Sequence, residues 1–234
     1  MAGPYHELVG KTNENVGKTD RSATLRGMAR SYGDRCGVAR ALDLVGERWA
    51  LLVVRELLLG PKRFTDLRAG LPQVGPDVLS QRLRELEGAG LVARRTLDPP
   101  AAAKVYELTS RGAQLEPVIL ELGRFGSVAP FPDGDPTFGP DALALALKTL
   151  YEPGGREATI ALRLGGQDFR VHDDGAALTL ERGAAANPDA TIEAEPGVLA
   201  AVLWHGADPA GVTVVGDRRA AARFLKRFPL PAPV

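Results

Sequence analysis

The periodicity of apolar positions divides the chain into a helical half and a half in which helices alternate with strands. Between Gly75 and Leu91, Leu79, Leu83 and Leu86 share one helical face, and Asp77, Ser80, Gln81 and Arg84 share the opposite one. Pro76 suits a first helical position, and Gly88 and Gly90 supply a helix end, so the spacing predicts a helix over residues 76–87. Its polar face suits base edges. Gln and Arg make paired hydrogen bonds to adenine and guanine, and Ser and Asp crowd little in a major groove. Taken alone this is an ordinary amphipathic surface helix, so its flanks must decide.

Upstream, Val38, Ala41, Leu42 and Val45 fit a short helix over residues 36–45. Trp49, Leu52, Val53 and Leu57 give the next helix a core face, Trp49 reading as packing, and Gly60-Pro61 ends it. Residues 65–70 then form the first helix of a helix-turn-helix pair, with the turn over 71–75, where Pro72 and Gly75 break the pattern. Downstream, residues 92–96 and 105–108 alternate apolar and polar around Asp98-Pro99-Pro100, which predicts a hairpin with a long tip, a wing. Residues 113–125 carry Leu115, Val118, Ile119, Leu122 and Phe125 at helical spacing with no further core to cover, and Pro117 should bend or break that helix near Leu115. Residues 1–30 lack periodicity and read as a mobile tail.

Prolines 130, 132, 136 and 140 with Gly134 and Gly139 mark a linker over 127–140, after which the pattern changes. A helix over 141–150 precedes alternating runs at 158–164, 168–172 and 176–181, separated by Gly165-Gly166 and Asp173-Asp174-Gly175, both hairpin-turn chemistry. A strand at 190–194, a helix at 196–204, a strand at 212–215 and a final helix capped by Asp217 and running to Phe228 complete a second domain over 141–230. The fold class is therefore α+β, with the DNA-binding-type unit over 31–126.

A length of 234 residues provides for two cores, and hydrophobic and charged contents of 44% and 25% are ordinary for a soluble protein. No apolar run reaches spanning length, no secretory leader is evident, and a single cysteine makes no internal disulfide, so a cytoplasmic protein without a membrane partner is expected. The formal net charge is zero, but residues 1–130 carry 19 Lys and Arg against 15 Asp and Glu, and residues 131–234 carry 10 against 14. The case for nucleic acid thus rests on placement rather than bulk charge. Arg94, Arg95 and Lys104 sit where a wing reaches phosphates, and Arg63 and Arg68 bracket the turn; each taken singly is an ordinary solvated cation. His6, His172 and His205 lack zinc spacing, and His172-Asp173-Asp174 falls on a turn that backbone geometry explains. No phosphate loop, nucleophile elbow or Cys/His pair is present, so neither catalysis, a metal nor a cofactor is expected. Asp43 and Glu47, four apart on a helix, read as a solvated face.

The spaced set Cys36, Gly46-Glu47-Arg48-Trp49, Arg63-Phe64 with Leu67, Leu79 to Val92, and Tyr106 to Gly112 resembles the winged helix-turn-helix domain of the HxlR family of bacterial transcriptional regulators, over residues 35–126. Glu47 departs from a slot usually small in that family, with little consequence expected. The resemblance implies a cytoplasmic homodimer, paired through residues 113–125 and the N-terminal helix, that binds a near-palindromic double-stranded DNA operator. Half-site centres would lie about 10 base pairs or a multiple apart. Asp77, Ser80, Gln81 and Arg84 would read bases, with Arg63, Arg94, Arg95 and Lys104 on phosphates. Some family members use an N-terminal cysteine to sense oxidants. Cys36, with Arg35 and Arg40 as activators, is the equivalent, and a small buried packing residue is the simpler expectation. Residues 138–230 resemble the sterol-carrier-protein-like domain, which implies an antiparallel sheet covered by helices and a tunnel for a hydrophobic small-molecule effector. Leu199, Val202, Leu203, Trp204, Phe224 and Leu225 are its candidate lining, or plain core. Two alternatives stand beside the regulator: a ligand carrier whose winged helix serves subunit contacts, and a thiol switch centred on Cys36.

Overall fold

A computed structural model describes residues 31–98, 102–129 and 138–231. The N-terminal tail and the middle of the linker lie outside the described residues. The first half contains α1 (Gly37–Val45), α2 (Ala50–Leu57), α3 (Phe64–Gly70), α4 (Pro76–Gly88), a hairpin of β1 (Val92–Thr96) and β2 (Lys104–Leu108), then α5 (Ser110–Ala113) and α6 (Glu116–Gly126). Pro117 lies in the first turn of α6, so the expected helix begins at Glu116, broken from α5 near Leu115, because proline tolerates a first-turn position and not an interior one. The core joins Val45, Ala50, Val53, Val54, Leu57, Leu67, Leu71, Leu79, Leu83, Leu86 and Leu91. Gly112 permits the close approach of α5 to the hairpin: a Cβ there would lie 2.0 Å from the carbonyl oxygen of Leu91.

Two expectations for this half need correction. Leu52 is exposed, and Ala50 and Val54 take its place on the buried face of α2. On α1 only Val45 of the apolar stripe is buried, whereas Val38 is 67% and Leu42 41% exposed. A nine-residue helix at the edge of a small core can seat only its C-terminal end.

The second half contains α7 (Pro140–Leu150), β3 (Ala158–Leu164), β4 (Gln167–Asp173), β5 (Leu178–Arg182), β6 (Ala190–Ala194), α8 (Pro196–Trp204), a single 3-10 turn at Pro209–Gly211, β7 (Thr213–Gly216) and α9 (Arg218–Leu225). The sheet order is β5-β4-β3-β6-β7. It is mixed and not wholly antiparallel: β6 pairs parallel to β3, with Leu162 opposite Ile192. The reason is that the segment after β5 recrosses the sheet to the free side of β3 instead of turning back as a hairpin. Ile160, Leu162, Leu164, Phe169, Val171, Leu180 and Ile192 alternate onto one face, where Leu143, Leu147, Leu199, Phe224 and Phe228 of the helical layer cover them. The other face is polar, with Arg163 bonded to Asp168 at 3.1 Å and Arg170 to Glu181 at 2.6 Å. Asp217 caps α9 by accepting from the amides of Arg219 and Ala220, as its position suggests, and the helix ends at Leu225, short of Phe228.

Candidate nucleic-acid interface

Helix α4 buries Leu79, Leu83 and Leu86 completely, which turns its polar face outward. Asp77, Gln81 and Arg84 are exposed and Ser80 is half-buried, so the structure keeps the four expected base-reading residues together on one surface. Gln81 Nε2 donates to Glu85 Oε1 at 3.0 Å, which orients the amide while its second N–H and its own oxygen stay available. Neighbouring Arg82 points the other way. It is buried, with ion pairs to Glu85 and, at 3.6 Å, to Glu47. Glu47, 58% exposed, makes this one long contact with the reading helix from the segment before α2.

Helix α3 crosses ahead of α4 with Arg63 at its N-cap, exposed, its backbone amide donating to Asp66 Oδ2 at 3.1 Å. The wing strands pair with Arg94 opposite Tyr106 and Thr96 opposite Lys104. Arg94 Nε is held by Glu87 at 2.8 Å and its guanidinium lies 5.2 Å over the Tyr106 ring. Arg95 Nε is held by Glu107 at 3.0 Å. These two arginines are therefore not free charges, although each engages its carboxylate through Nε and stays about half exposed. Arg63, Arg84 and Lys104 have no ion pair among the described residues. The wing tip, including Pro99 and Pro100, lies outside the described residues.

The sequence reading missed an ionic cluster that joins the two halves. Lys62, 3% exposed, donates to Glu56 Oε2 at 2.5 Å and also to Asp141 Oδ2, both carboxylates being buried. Arg55 closes on the other Glu56 oxygen at 2.8 Å, and Arg182 of β5 on the other Asp141 oxygen. Each buried charge thus has a partner of opposite sign, as burial requires. The backbone of Lys62 meanwhile bridges the wing, its amide donating to Tyr106 O at 3.0 Å and its carbonyl accepting from the Tyr106 amide at 2.8 Å. One residue ties α2, the wing and the second domain together. Gly70 makes room for Glu56, because a Cβ there would lie 2.1 Å from its Oε2. A cleft of about 440 Å³ opens beside the cluster, lined by Lys62, Asp66, Asp141, Asp168 and Arg182 among others. The signal was available: Glu56 lies three residues after the buried Val53, on the core face of an apolar helix.

Cys36 is exposed at the N-cap of α1, not packed. Its thiol is held below the ordinary range by the backbone N–H groups of Val38 and Ala39, rather than by Arg35 or Arg40. Too little core reaches the start of α1 to cover it. In the second domain Leu199 and Phe224 are fully buried in the core, and Leu203, Trp204 and Leu225 pack against it from its edge. Trp204 Nε1 donates to Phe228 O at 2.9 Å. Val202 is half-buried. The cleft and a second, apolar hollow on α6 are formed without any of these six.

A helix-turn-helix pair on a shared core, a reading face turned outward and a two-stranded wing define the winged helix-turn-helix class of DNA-binding regulators. Residues 44–130 match the HxlR-like helix-turn-helix family, and the chain belongs to it. It is 36% identical over 88 residues to the uncharacterized HTH-type transcriptional regulator YvaP of Bacillus subtilis (strain 168), a match spanning 38% of this chain and 82% of that one. It is 35% identical over 82 residues to the HTH-type transcriptional regulator YodB of the same strain, spanning 35% of this chain and 73% of that one. The reduced form of YodB, a solved structure, aligns at 32% identity over 44% of this chain and 100% of that chain, with a TM-score of 0.37. No helix among the described residues is long and apolar enough to cross a membrane.

Proposed function

We propose that the chain is a dimeric, sequence-specific regulator whose α4 reads a near-palindromic operator and whose second domain tunes that reading. The observation that carries this is the outward polar face of α4, with Arg84 exposed and free of ion pairs among the described residues. Asp77, Ser80, Gln81 and Arg84 contact bases, and Arg63, Arg94, Arg95 and Lys104 contact phosphates. The dimer forms on α6, where Val118, Leu122 and Phe125 are 47%, 48% and 81% exposed, together with Val38 and Leu42 of α1. The test is selection of source-genome fragments by the purified protein, repeated with Gln81→Ala combined with Arg84→Ala. Enrichment of one near-palindromic site, lost in the double variant, is expected. Enrichment unchanged by the double variant would sink the assignment of the reading face.

The effector is a hydrophobic small molecule taken up at α8. Apart from the Trp204 N–H, this helix contains no polar side-chain group, yet only Pro196, Leu199 and Ala200 are buried, which leaves apolar surface along Val198, Val202, Leu203 and Trp204. Coupling requires the effector to favour one of two arrangements across the Lys62 cluster. A ligand that binds the second domain and leaves operator affinity unchanged at saturation excludes that role. A second reading, a thiol switch, is favoured by the exposure of Cys36 at a helix N-terminus. Oxidant should then alter DNA binding, and Cys36→Ser should abolish the response. No step of either reading calls for catalysis.

A further inference from the structure

Charge in the second domain is segregated. Residues 218–227 carry five Lys and Arg and no acid, whereas residues 141–217 carry five against twelve Asp and Glu. Helix α9 buries Ala220, Ala221 and Phe224 against the sheet and leaves Arg218, Arg219, Ala222, Arg223 and Lys226 exposed. At about 100° per residue those five positions span an arc of roughly 140°, one continuous face about 12 Å long. None of its four cations is in an ion pair among the described residues, unlike the arginines of the wing and of the outer sheet face. Asp217, at the head of the helix, is held as its cap and feels the charges of Arg219 and Arg223 without forming an ion pair with either.

We infer that this face of α9 is a second, sequence-independent contact for duplex DNA, gripping phosphates outside the stretch read by α4. The inference rests on the regulator reading above. The chemistry of the face selects the occupant. A protein interface of useful affinity needs an apolar or aromatic centre around which its anchors, arginines included, are desolvated, and a membrane-lying helix needs an apolar face to insert. The exposed arc of α9 offers only Ala222 in that respect. Four free cations over about 12 Å match a uniform line of phosphates, which on duplex DNA present roughly one charge per 1.7 Å of axis. Such contacts position without reading sequence. They also explain how a chain of zero net charge holds a polyanion, since the cations are concentrated on the helix and the acids lie elsewhere in the domain.

The experiment measures the salt dependence of affinity of the full chain for random-sequence duplexes of 20 and 60 base pairs. The comparison protein carries Arg218→Ala, Arg219→Ala and Arg223→Ala. All three positions are exposed and alanine favours helix, so circular dichroism should be unchanged. On the long duplex the variant should lose about 2 to 3 from the slope of log affinity against log salt, at about 0.9 per phosphate contact, and much less on the short one. Its preference for genome-selected fragments should persist, which separates this contact from α4. Equal slopes for the two proteins on the long duplex overturn the inference while leaving the regulator reading intact. Retention of the wild type, but not the variant, on phosphatidylglycerol vesicles, with DNA slopes unchanged, overturns it in favour of a membrane. Failure of the wild type to bind any duplex at low salt overturns both readings together.

Discussion

Lys62→Met is the perturbation that most directly tests how the two halves are joined. The substitution keeps the aliphatic stem and removes the cation between Glu56 and Asp141, whose side chains are each 2% exposed. Both carboxylates keep one arginine partner, Arg55 and Arg182 respectively. The two carboxylates and two arginines that remain balance in charge, so the cost is that of two lost buried, charge-assisted hydrogen bonds, about 1.5–2.5 kcal/mol each and about 3–5 kcal/mol together. At a urea dependence of about 2–3 kcal/mol per molar, the unfolding midpoint should fall by about 1–2 M. The chain supplies its own reporters, since Trp49 lies in the first domain and Trp204 in the second. With Trp49→Phe and Trp204→Phe variants, fluorescence follows each half separately. The two halves should unfold at one midpoint when Lys62 is present and at two when it is Met. Adding Glu56→Gln and Asp141→Asn to Lys62→Met should not restore the midpoint, because Arg55 and Arg182 then lose their carboxylate partners. A loss below about 1 kcal/mol for Lys62→Met, or separate midpoints already in the unaltered chain, would refute the view that this cluster binds the halves into one unit.

Other outcomes follow from the same geometry. Arg84→Ala should cost about 1–3 kcal/mol at one operator position and relax preference there, whereas Lys104→Ala should weaken all duplexes and flatten the salt slope by about one; competition binding distinguishes them. Phe125→Glu should shift the chain from dimer to monomer in sedimentation, since it places a charge at the most exposed apolar position of α6. Thr109→Ala should destabilise by about 1 kcal/mol in urea melts, because Thr109 Oγ1 accepts the Gly112 amide at 3.1 Å at the start of α5. Tyr151 is pushed up to about 12 by burial and by its 2.5 Å hydrogen bond to the buried carboxylate of Asp173. One of the four tyrosines should therefore ionise late in an ultraviolet titration, and Tyr151→Phe should remove that component. Because the folded value lies above the ordinary value of 10.0, this group's contribution to stability is present below pH 10 and is lost between about pH 10 and 12.

Much of the first domain was legible because its elements follow single rules. The apolar spacing of Leu79, Leu83 and Leu86 fixes both the helix and the outward face of α4, and the turn residues around it leave little freedom. Pattern alone failed where long-range pairing decides. Nothing local to residues 183–189 tells the chain to recross the sheet, so the parallel pairing of β6 with β3 was not visible. The pairing of Arg94 and Arg95 was hidden for the same reason, because Glu87 and Glu107 are brought beside them only by the hairpin and the end of α4. Leu52 shows the limit of assigning a helix face by hydrophobicity when six of eight positions are apolar: the polar residue Glu56 was the informative one, and it pointed inward.

The position of Lys62 also constrains how any signal could pass from the second domain to DNA. Its side chain binds Asp141 at the N-terminus of α7, and its backbone pairs with Tyr106 on the wing. Tyr106 in turn lies under Arg94, a candidate phosphate anchor. A shift of α7 relative to α2 would therefore have to part Lys62 from a carboxylate or carry the base of the wing with it. Parting them gives up a buried, charge-assisted hydrogen bond, whereas moving the wing strains only the partly exposed pair between Arg94 and Glu87. The second course is favoured, so an effector that displaces α7 should change wing contacts before it changes the reading face. Such an effector should lower affinity on operator and random duplexes by the same factor, leaving base preference intact. An effector that relaxed preference at the Arg84 position without weakening random duplexes would show that the signal travels through the core beneath α4 instead.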